Sequence, residues 1–221
     1  MKPDKRPLQR VNYPLLWFAK LTGVLPALLY FRPLVKREAG APHLVLPKGT
    51  LLVSNHQSLL DFVLYLLIFP FNTLRFLIAE VLFSKNAVLS GLLYAMGSIF
   101  VDRSAFDFSF VRDSVAALRR GNTVGIFPQG RLPVGDTPFP FLPSVIVIAL
   151  HADAPIIPVY TAGGYGKRRA AVAIGAPIDL AAWRTGTGEP DEEELAALSA
   201  RLQAHVFSLA ALLQNKDAKK G

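Results

Sequence analysis

Apolar residues in this chain form short continuous runs that alternate with longer stretches of helical period. Short apolar runs are typical of strands buried in a parallel sheet, and the longer stretches are typical of helices that cover it. The pattern therefore predicts an α/β fold, in which a mainly parallel sheet is sandwiched by helices. The predicted strands are 50–54, 74–79, 99–101, 123–127, 156–160 and 170–174, and the predicted helices are 58–68, 85–95, 108–120, 141–150 and one from Asp191 to about residue 213.

Residues 1–40 have a different pattern, an apolar run over 13–34 between two groups of cations. A signal peptide fits poorly because no small-residue cleavage site follows the run. A clean transmembrane helix fits poorly as well, since Lys20 lies inside the run and Pro14, Gly23 and Pro26 break it. We expect two short membrane-anchoring helices, 13–22 and 26–35, and a domain over 41–221; a soluble helix capping the core is the alternative. The flanking cations are Lys2, Lys5, Arg6, Arg10, Lys36 and Arg37.

Composition narrows the choice of partners. The chain has 221 residues, 52% of them apolar and 18% charged, and a net charge of +8. A chain both apolar and basic favours an anionic membrane surface, and no nucleic-acid signature accompanies the charge. There is no cysteine, which excludes disulfides and thiolate metal sites, and the four histidines lack metal-ligand spacing. We expect a lipid partner, no nucleic acid and no metal.

His56 and Asp61 carry the clearest candidate chemistry, directly after the first predicted strand. Five positions on a continuous helix would separate the two side chains by about 140°. They can meet only if His56 precedes the helix, with Ser58 as N-cap and Asp61 in the second turn. Asp61 would then fix one ring nitrogen of His56 and leave the other to act as a general base. A loop histidine and an unrelated helical aspartate remain the alternative.

Four segments, taken together and in order, resemble the four motifs of the lysophospholipid acyltransferase family, whose best known members are the 1-acylglycerol-3-phosphate acyltransferases. Asn-His-x-x-x-x-Asp at 55–61 resembles the first motif, and Gly-Ser-Ile-Phe-Val-Asp-Arg at 97–103 the second. Phe-Pro-Gln-Gly-Arg at 127–131 resembles a variant of the third, and Ala-Pro-Ile-Ile-Pro-Val at 154–159 the fourth. The resemblance spans about residues 50–160.

The resemblance implies a glycerol-phosphate acyltransferase-like fold with an N-terminal membrane-associated helical pair. It implies transfer of a fatty acyl group to a lysolipid hydroxyl at the cytoplasmic face of the cell inner membrane. The donor would be an acyl-coenzyme A or acyl–acyl carrier protein thioester, with no cofactor. His56 and Asp61 take the catalytic roles, and backbone amides near Gly130 would stabilise the oxyanion. The substrate-binding residues implied are Arg103, Gln129, Gly130 and Arg131.

Three positions depart from the family pattern. Gln129 stands where the third motif has glutamate, and Arg131 comes one residue early. Ala79 occupies the place of a lysine near the third strand. These changes weaken the expected grip on an acceptor phosphate, because they remove or displace two cations. A non-phosphate acceptor such as a glycolipid, a non-catalytic lipid-binding homologue and a lipid-ester hydrolase therefore remain alternatives.

Overall fold

The computed structural model describes residues 10–79, 87–101, 108–135, 137–163, 165–184, 186 and 188–214. A seven-stranded sheet of order β1-β7-β6-β2-β5-β3-β4 lies between two layers of helices, which confirms the expected α/β fold. The five strands from β6 to β4 run parallel, while β7 runs antiparallel to β6 and parallel to β1. The strands are β1 Leu34–Arg37, β2 Leu51–Ser54, β3 Leu74–Ala79, β4 Ile99–Val101, β5 Thr123–Ile126, β6 Ile156–Ala162 and β7 Ala171–Ile174.

The helices divide between the two faces of the sheet, and the alternation of side chains along β2 shows how. Leu52 packs with α1, α2 and α3 on one face, whereas Leu51 and Val53 pack with α4, α5 and α6 on the other. Both faces are covered, so the central strands are apolar throughout rather than alternating. The helices are α1 Tyr13–Phe31, α2 Asp61–Ile68, α3 Ala87–Ala95, α4 Ser109–Arg119, α5 Ser144–Ala152, α6 Glu192–Ser208 and α7 Ala210–Gln214.

The N-terminal segment differs from the expected pair of short helices. From residue 13 a single helix, Tyr13–Phe31, continues through Pro26, and strand Leu34–Arg37 stands where the second helix was expected to end. This strand pairs with β7, so the sheet includes part of the segment assigned to the anchor. Leu16 and Phe31 of α1 are buried in the core, and this tertiary packing outweighs the local cost of a helical proline. The prediction of two helices was wrong.

Lys20 of α1 makes its hydrogen bonds to residues that follow α2. Its Nζ donates to the carbonyl oxygens of Pro70 at 2.7 Å and Asn72 at 2.8 Å, just beyond the end of α2. Carbonyls at a helix C-terminus lack partners within the helix and favour a cation. The residue that interrupts the apolar run in sequence therefore fastens α1 to α2.

Smaller differences concern helix ends. The helix expected over 141–150 begins at Ser144, because Pro143 takes the N-cap position outside it. The last helix begins after Asp191, whose side chain accepts from the Glu194 N–H, and it divides into α6 and α7. The cations Lys2, Lys5 and Arg6 and the start of the helix expected over 85–95 lie outside the described residues.

Candidate active site

Three neighbouring strands end at the same edge of the sheet. β2 lies between β5 and β6, with Val53 opposite Ile126 on one side and Ser54 opposite Val159 on the other. Since all three are parallel, the described residues that follow them, 55–60, 127–130, 163 and 165–166, gather at one edge. Ligands of open α/β sheets bind outside the carboxyl ends of the strands. Residues of the first and third motifs are thereby brought together, whereas the fourth motif, 154–159, leads into and forms the first part of β6 beside β2.

His56 and Asp61 meet in this place. His56 Nδ1 lies 2.8 Å from Asp61 Oδ2, and the same oxygen accepts the backbone N–H groups of Gln57 at 2.8 Å and Ser58 at 3.0 Å. The expected contact is therefore present, with His56 on the turn before the helix. The expected cap is wrong: α2 begins at Asp61 itself, with Leu60 as N-cap. The Asp61 carboxylate takes over that function by binding the amides of the preceding turn.

The second oxygen of Asp61 has a partner that the sequence did not indicate. The Tyr165 hydroxyl donates to Asp61 Oδ1, so four donors surround a carboxylate that is fully buried. Burial, and then the negative charge of Asp61, raise the pKa of Tyr165 and of nearby Tyr65 above the usual range of a phenol. Both phenols therefore stay protonated beside the carboxylate. The sequence offered one signal, an aromatic residue among glycines at the end of a strand.

The imidazole of His56 is oriented by these contacts. A carboxylate can only accept, so Nδ1 carries the proton and Nε2 keeps a free lone pair. The ring stacks on Phe127, with centroids 4.3 Å apart and planes 14° apart, and Phe127 stacks in turn on Phe76 at 5.7 Å. The side chain stays 16% exposed, which leaves it open to a ligand. This is the geometry of a general base held in one tautomer.

Asn55 fixes the turn that carries His56. Its side chain makes a reciprocal pair with the backbone of Thr161, donating to the carbonyl at 2.9 Å and accepting from the N–H at 2.8 Å. Both residues are buried, so water does not compete for these bonds. The end of β2 is thereby locked to β6.

Gln129 and Gly130 make hydrogen bonds to the backbone of the site. Gln129 is buried, and its Oε1 accepts the backbone N–H of His56 at 2.7 Å. Gly130 has φ +64°, and its N–H donates to the carbonyl of Phe127 at 3.0 Å. That amide is therefore engaged within the turn, and the expectation that backbone amides near Gly130 stabilise an oxyanion stays a prediction.

The expected cations are not gathered around His56 in the part of the chain that is described. The Arg131 guanidinium is exposed and lies 4.6 Å from the ring centroid of Phe139, with which it makes a cation–π contact. Ala79 ends β3 without any charge, and Arg103 lies outside the described residues. Within the described ranges no group of three His, Cys, Asp or Glu could hold a metal ion.

Comparison with known proteins identifies the family to which this chain is similar. A family model described as Acyltransferase matches residues 38–162. The 1-acyl-sn-glycerol-3-phosphate acyltransferase alpha of Mus musculus is 31% identical over 123 residues, which cover 54% of this chain and 42% of that protein. The 1-acyl-sn-glycerol-3-phosphate acyltransferase of Neisseria gonorrhoeae is 29% identical over 154 residues, 66% of this chain and 58% of its own.

The fold has a match among solved structures. The crystal structure of the 1-acyl-sn-glycerophosphate (LPA) acyltransferase PlsC from Thermotoga maritima superposes with a TM-score of 0.63 at 23% identity, over 88% of this chain and 80% of that one. The chain belongs to the acyltransferase family. The chain spans 42% of the length of the Mus musculus relative and 58% of the length of the Neisseria gonorrhoeae relative. Both relatives are named as 1-acyl-sn-glycerol-3-phosphate acyltransferases.

Proposed function

We propose that this protein transfers a fatty acyl group from an acyl thioester to a hydroxyl group of a lysolipid. One observation carries the proposal: Asp61 accepts the Nδ1–H of His56 at 2.8 Å, and Nε2 makes no hydrogen bond to any described residue. A neutral imidazole with a fixed tautomer and one free lone pair is suited to remove a proton from a hydroxyl. Membership of the acyltransferase family supports the class of reaction.

The proposed reaction is direct. Nε2 of His56 takes the acceptor hydroxyl proton as the oxygen attacks the thioester carbonyl. The tetrahedral intermediate then breaks its carbon–sulfur bond, and the thiolate leaves with the proton returned by Nε2. Asp61 stabilises the transient imidazolium. Because the acceptor oxygen attacks directly, the reaction uses no side-chain nucleophile; the chain has no cysteine and no Gly-x-Ser-x-Gly sequence. The donor is an acyl-coenzyme A or acyl–acyl carrier protein thioester.

The acceptor we propose is 1-acylglycerol-3-phosphate or a related lipid, as in the names of the relatives. A second candidate is a neutral hydroxyl lipid such as a glycolipid, and the position of Arg131 favours it. Its guanidinium is engaged with Phe139, and Ala79 supplies no charge, so the phosphate would depend on Arg103. A phosphate entering a site with few cations loses hydration without compensation.

We also propose that α1 holds the protein on the cytoplasmic face of the cell inner membrane. By length and composition alone, two helical segments among the described residues could cross a membrane, Tyr13–Phe31 and Glu192–Gln214. Only 11% of the apolar window in the first is buried by the protein. Exposed apolar side chains in one helix favour insertion into a lipid surface. Those of α1 are Tyr13, Leu15, Trp17, Phe18, Leu21, Val24, Leu25, Leu28, Leu29 and Tyr30.

The test incubates the purified full-length protein with acyl thioesters and follows thiol release with and without lysolipid acceptors. An acyltransferase releases thiol only with an acceptor, a hydrolase releases it without one, and a lipid-binding homologue releases none. His56→Ala should lower turnover by about 10²–10⁴-fold while the protein stays folded, and Asp61→Asn should cost less. Near-full turnover by His56→Ala would show that His56 is not the base.

A further inference from the structure

Tyr165 connects the buried carboxylate of the site to the helix proposed to lie in the membrane. Its hydroxyl donates to Asp61 Oδ1, and its ring packs edge-on against Phe31, the last residue of α1, with centroids 5.1 Å apart. Phe31 is itself buried. One side chain therefore touches both the group that orients His56 and the end of α1.

Hydrogen bonds also join the end of α1 to residues that follow Tyr165. The Arg32 guanidinium donates to the Gly166 carbonyl at 3.3 Å, and the Ala170 N–H donates to the Phe31 carbonyl at 2.8 Å. A Cβ placed on Gly166, where φ is +80°, would lie 3.1 Å from the ring of Tyr30. The close approach and the left-handed backbone both favour glycine here. The loop after β6 is thus held in place by α1.

We propose that Tyr165 is a positioning residue for the His56–Asp61 pair, and that through it the alignment of the pair depends on how α1 is seated. The inference rests on the proposed function, because it assigns Tyr165 a part in the same reaction. His56 and two backbone amides hold Asp61 Oδ2. The carboxylate can still rotate about that oxygen, and this rotation is limited by whatever binds Oδ1. Among the described residues only the Tyr165 hydroxyl holds it.

Two physical facts support this assignment. The burial and negative surroundings that raise the pKa of Tyr165 keep its hydroxyl protonated as a donor through the neutral range. A buried carboxylate oxygen that loses its partner is costly, so the carboxylate would turn to find another donor. Turning it displaces Oδ2 from His56 Nδ1, which is the contact that the reaction requires.

The first experiment compares Tyr165→Phe with Tyr160→Phe. Both variants lose one phenol hydroxyl and keep the ring, and the Tyr160 hydroxyl makes no hydrogen bond to any described residue. Tyr165→Phe should lower kcat about tenfold, as for loss of one hydrogen bond to a charged group, and leave KM for thioester and acceptor unchanged. Tyr160→Phe should match the wild type. Equal kcat in all three proteins, or equal losses in both variants, would overturn the proposal.

A readout that needs no substrate separates this inference from the proposed function. The low-field proton resonance of the His56 Nδ1–H in the free protein should broaden or vanish in Tyr165→Phe and persist in Tyr160→Phe. An unchanged resonance in Tyr165→Phe would overturn the positioning role. Absence of thiol release by the wild type would instead overturn the proposed function, and the resonance would still decide the role of Tyr165.

The link to α1 is tested by a double-mutant cycle with Phe31→Leu, which keeps an apolar side chain at the contact. In the wild-type background Phe31→Leu should lower kcat severalfold, and in the Tyr165→Phe background it should have little further effect. Each variant must be folded in the assay, so its thermal unfolding midpoint must lie above the assay temperature. If Phe31→Leu fails this requirement, Phe31→Met is used in its place. Effects that multiply across the cycle would show that α1 does not act through Tyr165.

Discussion

Gln129 holds the backbone of His56, since its Oε1 accepts the His56 N–H at 2.7 Å from a position 73 residues away. The family motif has glutamate at this point, and either side chain can supply the accepting oxygen. The departure from the motif therefore preserves the contact that places His56 and changes only the charge. Residue 129 can therefore have two separate roles: its side-chain oxygen supports His56, and its charge, where it is glutamate, affects recognition of the acceptor.

The first prediction follows from that contact. Gln129→Leu keeps the volume and removes the acceptor, which leaves the His56 N–H unpaired in a partly buried place. We expect the free energy of unfolding to fall by about 1–3 kcal/mol, and kcat to fall because His56 is displaced. Urea unfolding and steady-state kinetics measure the two effects. Gln129→Glu is the control, since it retains an oxygen for the N–H; kinetics of Gln129→Leu equal to wild type would contradict the supporting role.

A second prediction concerns the aromatic stack behind the imidazole. A Cβ on Gly125 would lie 2.3 Å from Cε1 of Phe76, so the ring must shift if residue 125 is anything larger than glycine. Gly125→Ala should therefore destabilise the protein by about 1–3 kcal/mol through overpacking. It should also lower kcat, because Phe76 supports Phe127 and Phe127 supports His56.

Relief of the clash provides the control for that prediction. The double variant Gly125→Ala/Phe76→Leu has room for the new methyl group, so its midpoint of thermal unfolding should lie above the value expected from adding the two single losses. Strictly additive losses would show that the clash with Phe76 is not the cause.

The apolar pattern of the sequence predicted those strands that are determined by local sequence. The bounds of β3 and β4 match the prediction at every residue, because short apolar runs between turn residues leave few choices. Strand β1 was missed because its pairing with β7 joins residues more than a hundred positions apart, and a four-residue strand carries little signal of its own. The helix break expected before Pro26 is absent for the same reason. Tertiary packing, which local sequence does not report, keeps α1 helical through Pro26.

The site shows the same limit. The spacing of His56 and Asp61 allowed one geometry in which they meet but left their pairing open, and the structure contains that contact. Tyr165 reaches Asp61 across 104 residues, and no periodicity reports such a contact. The direction of Arg131 depends on Phe139, which draws the guanidinium into a cation–π contact instead of toward a phosphate. Residue identities indicated candidate side chains of the site, whereas the orientation of those side chains depends on long-range packing.

A third prediction compares two arginines of the expected acceptor site. Arg131→Ala should leave KM for 1-acylglycerol-3-phosphate unchanged, because its guanidinium is engaged with Phe139. Arg103→Ala should raise that KM, by about tenfold or more for loss of a charge-assisted contact to phosphate, and leave the thioester KM unchanged. Steady-state kinetics with the acceptor varied at saturating thioester measure both. A larger effect from Arg131 would mean that its side chain turns into the site when lipid binds.

The same acceptor question has a reverse form. Gln129→Glu combined with Ala79→Lys restores the family pattern at two positions, and the pair is expected to improve use of a phosphate acceptor over a neutral one. The ratio of kcat/KM for the two acceptors is the measurement. An unchanged ratio would show that these positions do not tune the choice.

The fourth prediction addresses how α1 meets a membrane. Deleting residues 1–40 would remove β1 and the buried Leu16 and Phe31, so loss of function after deletion would not isolate membrane binding. Leu21 and Val134 offer a matched comparison, because each is 77% exposed and only Leu21 lies on α1. Leu21→Glu and Val134→Glu change the net charge equally, and exposure predicts little effect of either on stability.

We expect Leu21→Glu to weaken binding to vesicles containing anionic lipid by about tenfold or more, since it removes a leucine from the lipid and places a carboxylate there. Val134→Glu should bind almost as wild type, losing only the small effect of charge. Cosedimentation over a range of lipid concentrations gives both partition constants. High salt should weaken wild-type binding only in part, because burial of apolar side chains is not screened. Equal binding by the two variants, or complete release of the wild type by salt alone, would show that α1 does not enter the lipid and that charge alone holds the protein at the surface.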